Sequence, residues 1–237
     1  MIFSKKFFAV LLCLTAIVII SFFPFPANNS HTISAPYSFS PQIILDAGHG
    51  GFDGGAVASD GTIEKNVNLN ICLALSDMLR ACGYQVILTR ETDVATDDVE
   101  TNAIAARKKS DLKNRLELME DYPDAVFVSI HLNKFTTSAA KGAQVFYSGK
   151  TDKSYKLSQS IQKSIKSLLQ PENIRQTKQA TSSTYLLYNA TIPAVLVECG
   201  FLSNAQELTL LKDEVYQRKI AFSIFCGIND YFKDKGV

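Results

Sequence analysis

The chain has no tryptophan, three histidines, five cysteines and seven prolines in 237 residues. So few histidines leave few places for an imidazole-based site. No C-x-x-C pair occurs, which argues against a thiolate zinc site. Cys13 lies in an N-terminal apolar run, leaving Cys72, Cys82, Cys199 and Cys226. Cys72 and Cys82 fall on one predicted helix, about 15 Å apart at the helical rise, so they cannot bridge each other. These cysteines read as small hydrophobes, and the core rather than a disulfide framework must hold the fold. An excess of charge is also missing. Of the 24 Lys/Arg, Lys5 and Lys6 precede residue 41, leaving 22 against 23 Asp/Glu. Without a concentrated basic face, nucleic acid is not an expected partner. No G-x-G-x-x-G occurs, and Gly50 to Gly55 leads into Ala56-Val57 rather than Lys-Ser/Thr, so there is no phosphate loop. No internal repeat and no second domain is visible.

What is present divides into three parts. In residues 1–25, Lys5-Lys6 precede an apolar run from Phe7 to Phe25 broken only by Thr15, Ser21 and Pro24. A basic flank before such a run reads as a signal or membrane anchor. No A-x-A cleavage site adjoins Phe23, which favours an uncleaved anchor. A cleaved secretory signal is the alternative, and both export the remainder of the chain. Residues 26–40 are polar and turn-rich, a linker. Residues 41–237 are enough for one domain with a sizeable core.

Within that domain, short apolar β-branched runs predict strands near 42–47, 84–89, 125–131, 143–147 and 193–198, with a weaker one at 184–188. Helical patterns cover about 63–82, stopping at Gly83, then 110–120, 155–169 and 214–232. The alternation predicts an α/β fold: a single domain with a mostly parallel six-stranded sheet and helices on both faces. The polar, acidic stretch 92–106 reads as a long surface loop or lid.

The chemistry gathers at strand ends. His49 follows Ile43-Ile44-Leu45 and opens the glycine-rich turn Gly48 to Gly55; His131 ends Val126-Phe127-Val128-Ser129-Ile130; Glu198 ends Val195-Leu196-Val197. Open α/β sheets place ligands at such ends. Positions 64, 67, 71, 75 and 78 share one face of the first helix, and that stripe is apolar except at Glu64. A carboxylate aimed at a core needs a partner, a proton or a metal. His49, Glu64 and His131 make a two-nitrogen, one-oxygen set, which suits a catalytic zinc with one position left for water. Each histidine alone could instead be a hydrogen-bonded core or turn residue, and Glu64 a first-turn acid. Glu198 is the candidate acid/base group beside such a water. Cys199 next to it points to the opposite face of the strand, which argues against a thiol nucleophile.

Ile44-Leu45-Asp46-Ala47-Gly48-His49-Gly50-Gly51, Glu64, Ser129-Ile130-His131-Leu132-Asn133 and Val197-Glu198-Cys199-Gly200-Phe201-Leu202-Ser203-Asn204 together resemble the zinc-dependent N-acetylmuramoyl-L-alanine amidases, and Leu88-Thr89-Arg90…Asp93 also fits. The resemblance spans about residues 42 to 232. It implies zinc on His49, Glu64 and His131, a catalytic Glu198, and hydrolysis of the amide between the lactyl group of N-acetylmuramic acid and L-alanine in peptidoglycan. The link from Asp93 to Arg115 is longer than in most such enzymes and resembles that of the germination-specific members of spore-forming bacteria, which act on spore cortex. That likeness implies an exported, membrane-tethered domain in the cell envelope, in the forespore envelope space. Some related amidases depend on separate activator proteins, so an activator is an expected partner, with the 92–110 segment and the exposed side of the last helix as candidate contact surfaces; expression timing and membrane tethering are the alternative control. Two rivals remain open: a zinc-dependent peptidoglycan peptidase or deacetylase, and a non-catalytic wall-binding module.

Overall fold

A computed structural model describes residues 40–234. The expected anchor, nearly all of the linker, Cys13 and His31 lie outside the described residues. Among those described, no helix is long and apolar enough to cross a membrane.

Six strands form one sheet: β1 (Gln42–Ala47), β2 (Gln85–Leu88), β3 (Val126–Asn133), β4 (Gln144–Tyr147), β5 (Lys178–Gln179) and β6 (Ala194–Phe201), in the order β2-β1-β3-β6-β4-β5. β2, β1, β3 and β6 run parallel; β4 is antiparallel to β6, and β5 runs parallel to β4. The helices are α1 (Glu64–Ala81), α2 (Ile104–Asp121), α3 (Asp152–Leu168), α4 (Tyr185–Asn189), α5 (Ala205–Leu211) and α6 (Glu214–Lys233). α1, α3 and α6 pack on one face, while α2 and α4 cover the other.

The central strands read as continuous apolar runs because both faces are covered. On β1, Ile43, Leu45 and Ala47 enter the α1/α3/α6 core, while Ile44 joins Phe127, Met119 and Leu187 in the opposite one. Each such large side chain is fully buried and contributes about 1.5–3 kcal/mol. α1 ends at Ala81, and Gly83 at φ +86° turns the chain back through a left-handed position. Its start is unusual. Ile63 has no capping side chain. The glycine turn caps the helix instead, Glu64 N donating to Ala56 O (2.9 Å) and Lys65 N to Gly54 O (3.2 Å). The loop after β1 therefore fixes where α1 begins.

Three expectations are corrected in detail. Residues 184–188 do not form a strand but the short helix α4. Leu186 and Leu187 are buried together, while Tyr185 and Tyr188 are 42% and 53% exposed, a spacing of three that belongs to a helix rather than to alternation. The sixth strand is instead β5, two exposed polar residues at the sheet edge, with no apolar pattern to betray it. α2 begins at Ile104, six residues before the expected 110, so the irregular stretch is shorter. It is pinned to α2: Thr96 N and Oγ1 donate to Asp111 (2.7 and 2.8 Å), Asp98 N donates to Ser110 Oγ (3.3 Å), and Arg107 grips Asp97 (2.6 and 3.0 Å). Cys72 and Cys199 are buried as expected; Cys82 is exposed, and the four described cysteines are free.

Candidate metal centre and active site

The carboxyl ends of β1, β3 and β6 lie side by side, with Ala47 paired to Ile130 and His131 to Glu198. His49, two residues past β1, is the only non-glycine residue at positive φ among those described (φ 63°). Its imidazole is thereby turned back across the sheet edge toward His131, with ring centroids 5.0 Å apart and nearly perpendicular. Glu64 reaches the same point from the first residue of α1. One potential ligand atom from each of His49, Glu64 and His131 lies within 4.8 Å of the others. Glu64 Oε1 is 3.3 Å from His49 Nε2 and 3.0 Å from His131 Nδ1.

The glycines make this approach possible. A Cβ on Gly48 would lie 2.2 Å from His131 Nε2, and one on Gly55 would lie 2.6 Å from both Glu64 Oε2 and His49 Cδ2. Glu64 is 3% exposed, and backbone amides hold it: Ala56 N donates to Oε2 (2.8 Å) and Leu132 N to Oε1 (3.0 Å), with Asn68 Nδ2 at 3.3 Å. Burial alone would raise its pKa, but hydrogen bonds from His131 and His49 hold the carboxylate well below its usual range. His49 Nδ1 lies 2.9 Å from Asp53 Oδ2, leaving Nε2 to face the centre. Burial pulls the His49 pKa down, but the bonds to Asp53 and Glu64 outweigh it and push it up to about 9. That arrangement of carboxylate and histidine orients and strengthens an imidazole ligand.

Glu198 stands beside His131 on β6. Its Oε2 is buried and has no hydrogen-bond partner. Burial, opposed by His131 and reinforced by Glu64, pushes its pKa up to about 7. A carboxyl group that exchanges its proton near neutrality is suited to general acid/base work. The adjacent Cys199 is fully buried in the α1/α3/α6 core, and burial pushes its thiol well above the usual range. It cannot act as a nucleophile here.

The matching family model is that of N-acetylmuramoyl-L-alanine amidase, aligned over residues 43–230. The chain belongs to the N-acetylmuramoyl-L-alanine amidase family. It is 38% identical over 223 residues to the germination-specific N-acetylmuramoyl-L-alanine amidase of Bacillus subtilis, covering 93% of this chain and 92% of that protein. The structure of the CwlD amidase from Clostridioides difficile in complex with the GerS lipoprotein superposes with a TM-score of 0.79 at 44% identity, over 82% of this chain and all of that one. AmiC2 of Nostoc punctiforme superposes with a TM-score of 0.69 at 29% identity, over 81% of this chain and 97% of its own. This amidase is therefore a hydrolase that cleaves the bond between N-acetylmuramic acid and L-alanine in peptidoglycan.

All four side chains singled out in the sequence meet at one sheet edge. Their surroundings are less apparent from sequence. Asp53 is visible in the glycine turn, but nothing in the pattern gives it a role. Asp46 is the single charge inside β1, buried and paired with Arg115 of α2, with Ser129 Oγ and Thr89 Oγ1 donating to it. An acid interrupting an otherwise apolar strand is the signal that points to it.

Proposed function

We propose that this amidase works through one zinc ion held by His49, Glu64 and His131, with Glu198 as general acid/base. One observation carries the proposal: three ligand atoms of the right chemistry gathered within 4.8 Å, next to a buried carboxylate oxygen that no protein group satisfies. Two imidazoles and a carboxylate are a donor set that zinc accepts with a position left open. Zinc in such a site supplies a water of lowered pKa and polarises the scissile carbonyl. The protein does the rest. Asp53 fixes the face His49 presents, and the amides of Ala56 and Leu132 hold Glu64 still. Glu198 takes the proton that the attacking water loses as the carbon–oxygen bond forms. It then gives that proton to the alanine nitrogen as the carbon–nitrogen bond breaks, so the amine leaves neutral and the lactyl group as a carboxylic acid, whose proton passes to the free amine to leave carboxylate and ammonium. His49→Ala and His131→Ala are the direct test: zinc content and turnover should fall together in each. Full zinc content and full turnover in both would remove the assignment.

The peptidoglycan proposed as substrate is spore cortex. Support comes from the name of the Bacillus subtilis relative, which matches nearly end to end, and from the long link between Asp93 and Arg115, whose irregular first part is pinned to α2 through hydrogen bonds of Thr96 with Asp111 and of Asp97 with Arg107. Cortex from spores lacking this enzyme should keep stem peptides on muramic acid residues that otherwise lose them. Unchanged cortex composition would refute the assignment. Residues 1–25 are proposed to tether the domain to the outer side of the membrane. An activator protein is proposed as a partner, since the Clostridioides difficile neighbour was determined together with a lipoprotein.

A further inference from the structure

Three consecutive carbonyls, those of Ala47, Gly48 and His49, turn toward two guanidinium groups. Arg90 donates from Nε to Ala47 O (2.9 Å) and His49 O (2.8 Å), and from Nη2 to Gly48 O (3.2 Å). The same Nη2 donates to Lys65 O (2.8 Å), and Nη1 to Thr92 O (3.1 Å). Arg115 donates from Nη1 to Ala47 O (3.1 Å) and from Nη2 to His49 O (2.9 Å), while Asp46 and Asp111 balance its charge. Both arginines are almost wholly buried, at 3% and 2% exposure. Arg90 has no carboxylate among its hydrogen-bond acceptors; every one is a main-chain oxygen.

Two buried cations side by side carry a large desolvation penalty for tying down a turn. The reason lies in the residue they hold. The two carbonyls they share belong to Ala47 and His49, and the φ of 63° at His49 is a position a non-glycine residue seldom takes. The direction of the imidazole depends on that backbone angle. Arg90 also holds Lys65 O, next to Glu64, so one side chain spans both ligand-bearing segments. Arg115 reaches the turn from α2 on the opposite face of the sheet from α1.

We propose that Arg90 and Arg115 are positioning residues of the metal centre: together they lock the His49 turn in its left-handed conformation, and Arg90 fixes its distance from the start of α1. The proposal rests on His49 and Glu64 being metal ligands. It predicts that loosening the clamp weakens metal binding even where the fold survives. A lysine cannot replace either fork, because one ammonium cannot span several carbonyls in a plane.

The test uses the full-length chain in detergent, with Arg115→Lys, Arg90→Lys and the double variant Asp46→Asn/Arg115→Gln, which removes both charges of the Asp46–Arg115 pair and leaves Asp111 to its Thr96 donors. Thermal unfolding reports folding, competition with a chelating dye reports zinc affinity, and kcat and KM are measured at saturating zinc. In variants that fold, zinc affinity should fall by about 10- to 100-fold, the range seen when supporting partners of ligands are removed. At saturating zinc, kcat should drop while KM moves little. A folded variant with zinc affinity within about twofold of wild type, far short of that range, would overturn the proposal. So would a lowered melting temperature with unchanged affinity, or loss of folding in all three variants, since either assigns the pair to the scaffold alone. Failure of the wild type to bind zinc at all would instead strike the ligand assignment beneath it.

Discussion

Replacing Glu198 by glutamine should have opposite effects on activity and stability. Gln keeps the size of the side chain and cannot accept a proton. Removing a positioned acid/base group costs about 10²–10⁴ in turnover, or roughly 2.7–5.4 kcal/mol of barrier. The stability effect comes from burial. The Glu198 pKa rises from an ordinary 4.5 to about 7, so the folded chain holds this proton more tightly than the unfolded one. Between those two values the native state binds more protons, and stability falls as pH rises. Below about 4.5 the penalty is absent, and above about 7 it is complete, worth on the order of 3 kcal/mol for a shift of this size. The glutamine variant carries no such penalty. For a domain of this length each kcal/mol moves the melting temperature by about 2–4 °C. Metal-free Glu198→Gln should therefore melt several degrees above wild type at pH 8 and level with it at pH 4. Calorimetry on chelator-treated protein at both pH values is the assay, paired with release of alanine amino groups from peptidoglycan by the metal-loaded forms. A variant that melts below wild type at pH 8 would show that Glu198 has a stabilising partner, contrary to its unpaired Oε2. Activity within a factor of about three of wild type would remove it from the mechanism.

The same geometry sets other outcomes. Gly48→Ala puts a methyl group 2.2 Å from His131 Nε2, so the ring must shift; zinc affinity should drop by about tenfold or more, and dye competition giving the wild-type value would show that the ring has room. With the His49 pKa pushed up to about 9, an incoming cation must displace a proton, so zinc affinity should rise as pH goes from 6 to 9; a flat profile would contradict the raised value. N-terminal sequencing of the membrane fraction should recover the chain from its start, and a soluble mature form beginning after about residue 25 would refute the tether. Zinc-loaded residues 41–237 should cleave peptidoglycan faster with an extract of the producing cells than without it, and equal rates would dispense with an activator.

The fold and the centre of the site are legible in the sequence for different reasons. β1, β3 and β6 announce themselves because strands buried on both faces are mostly apolar, and His49, His131 and Glu198 stand at or just beyond the ends of those apolar runs. Glu64 is legible as a flaw in an apolar stripe. The far end of that stripe differs from expectation, since Leu79 rather than Met78 is fully buried there. β5 leaves no trace because an edge strand of two exposed residues has nothing to bury. α4 resembles a strand because Thr184, Tyr185 and Tyr188 are strand-favouring residue types, whereas burial of the adjacent Leu186 and Leu187 selects one helical turn. Arg90 and Arg115 are visible as residues but not as a pair. Their shared partners are main-chain oxygens, and a carbonyl carries no sequence signature.

Glu64 also bears on when the centre comes into being. The carboxylate is gripped by two main-chain amides and sits at a helix start capped by the very turn that carries His49. None of those bonds involves a cation. The cradle is finished when the chain finishes folding, unlike that of a zinc finger, which collapses without its ion. A metal bound as proposed would therefore enter a cradle that folding has already shaped, and its arrival would complete the chemistry without having to build the fold.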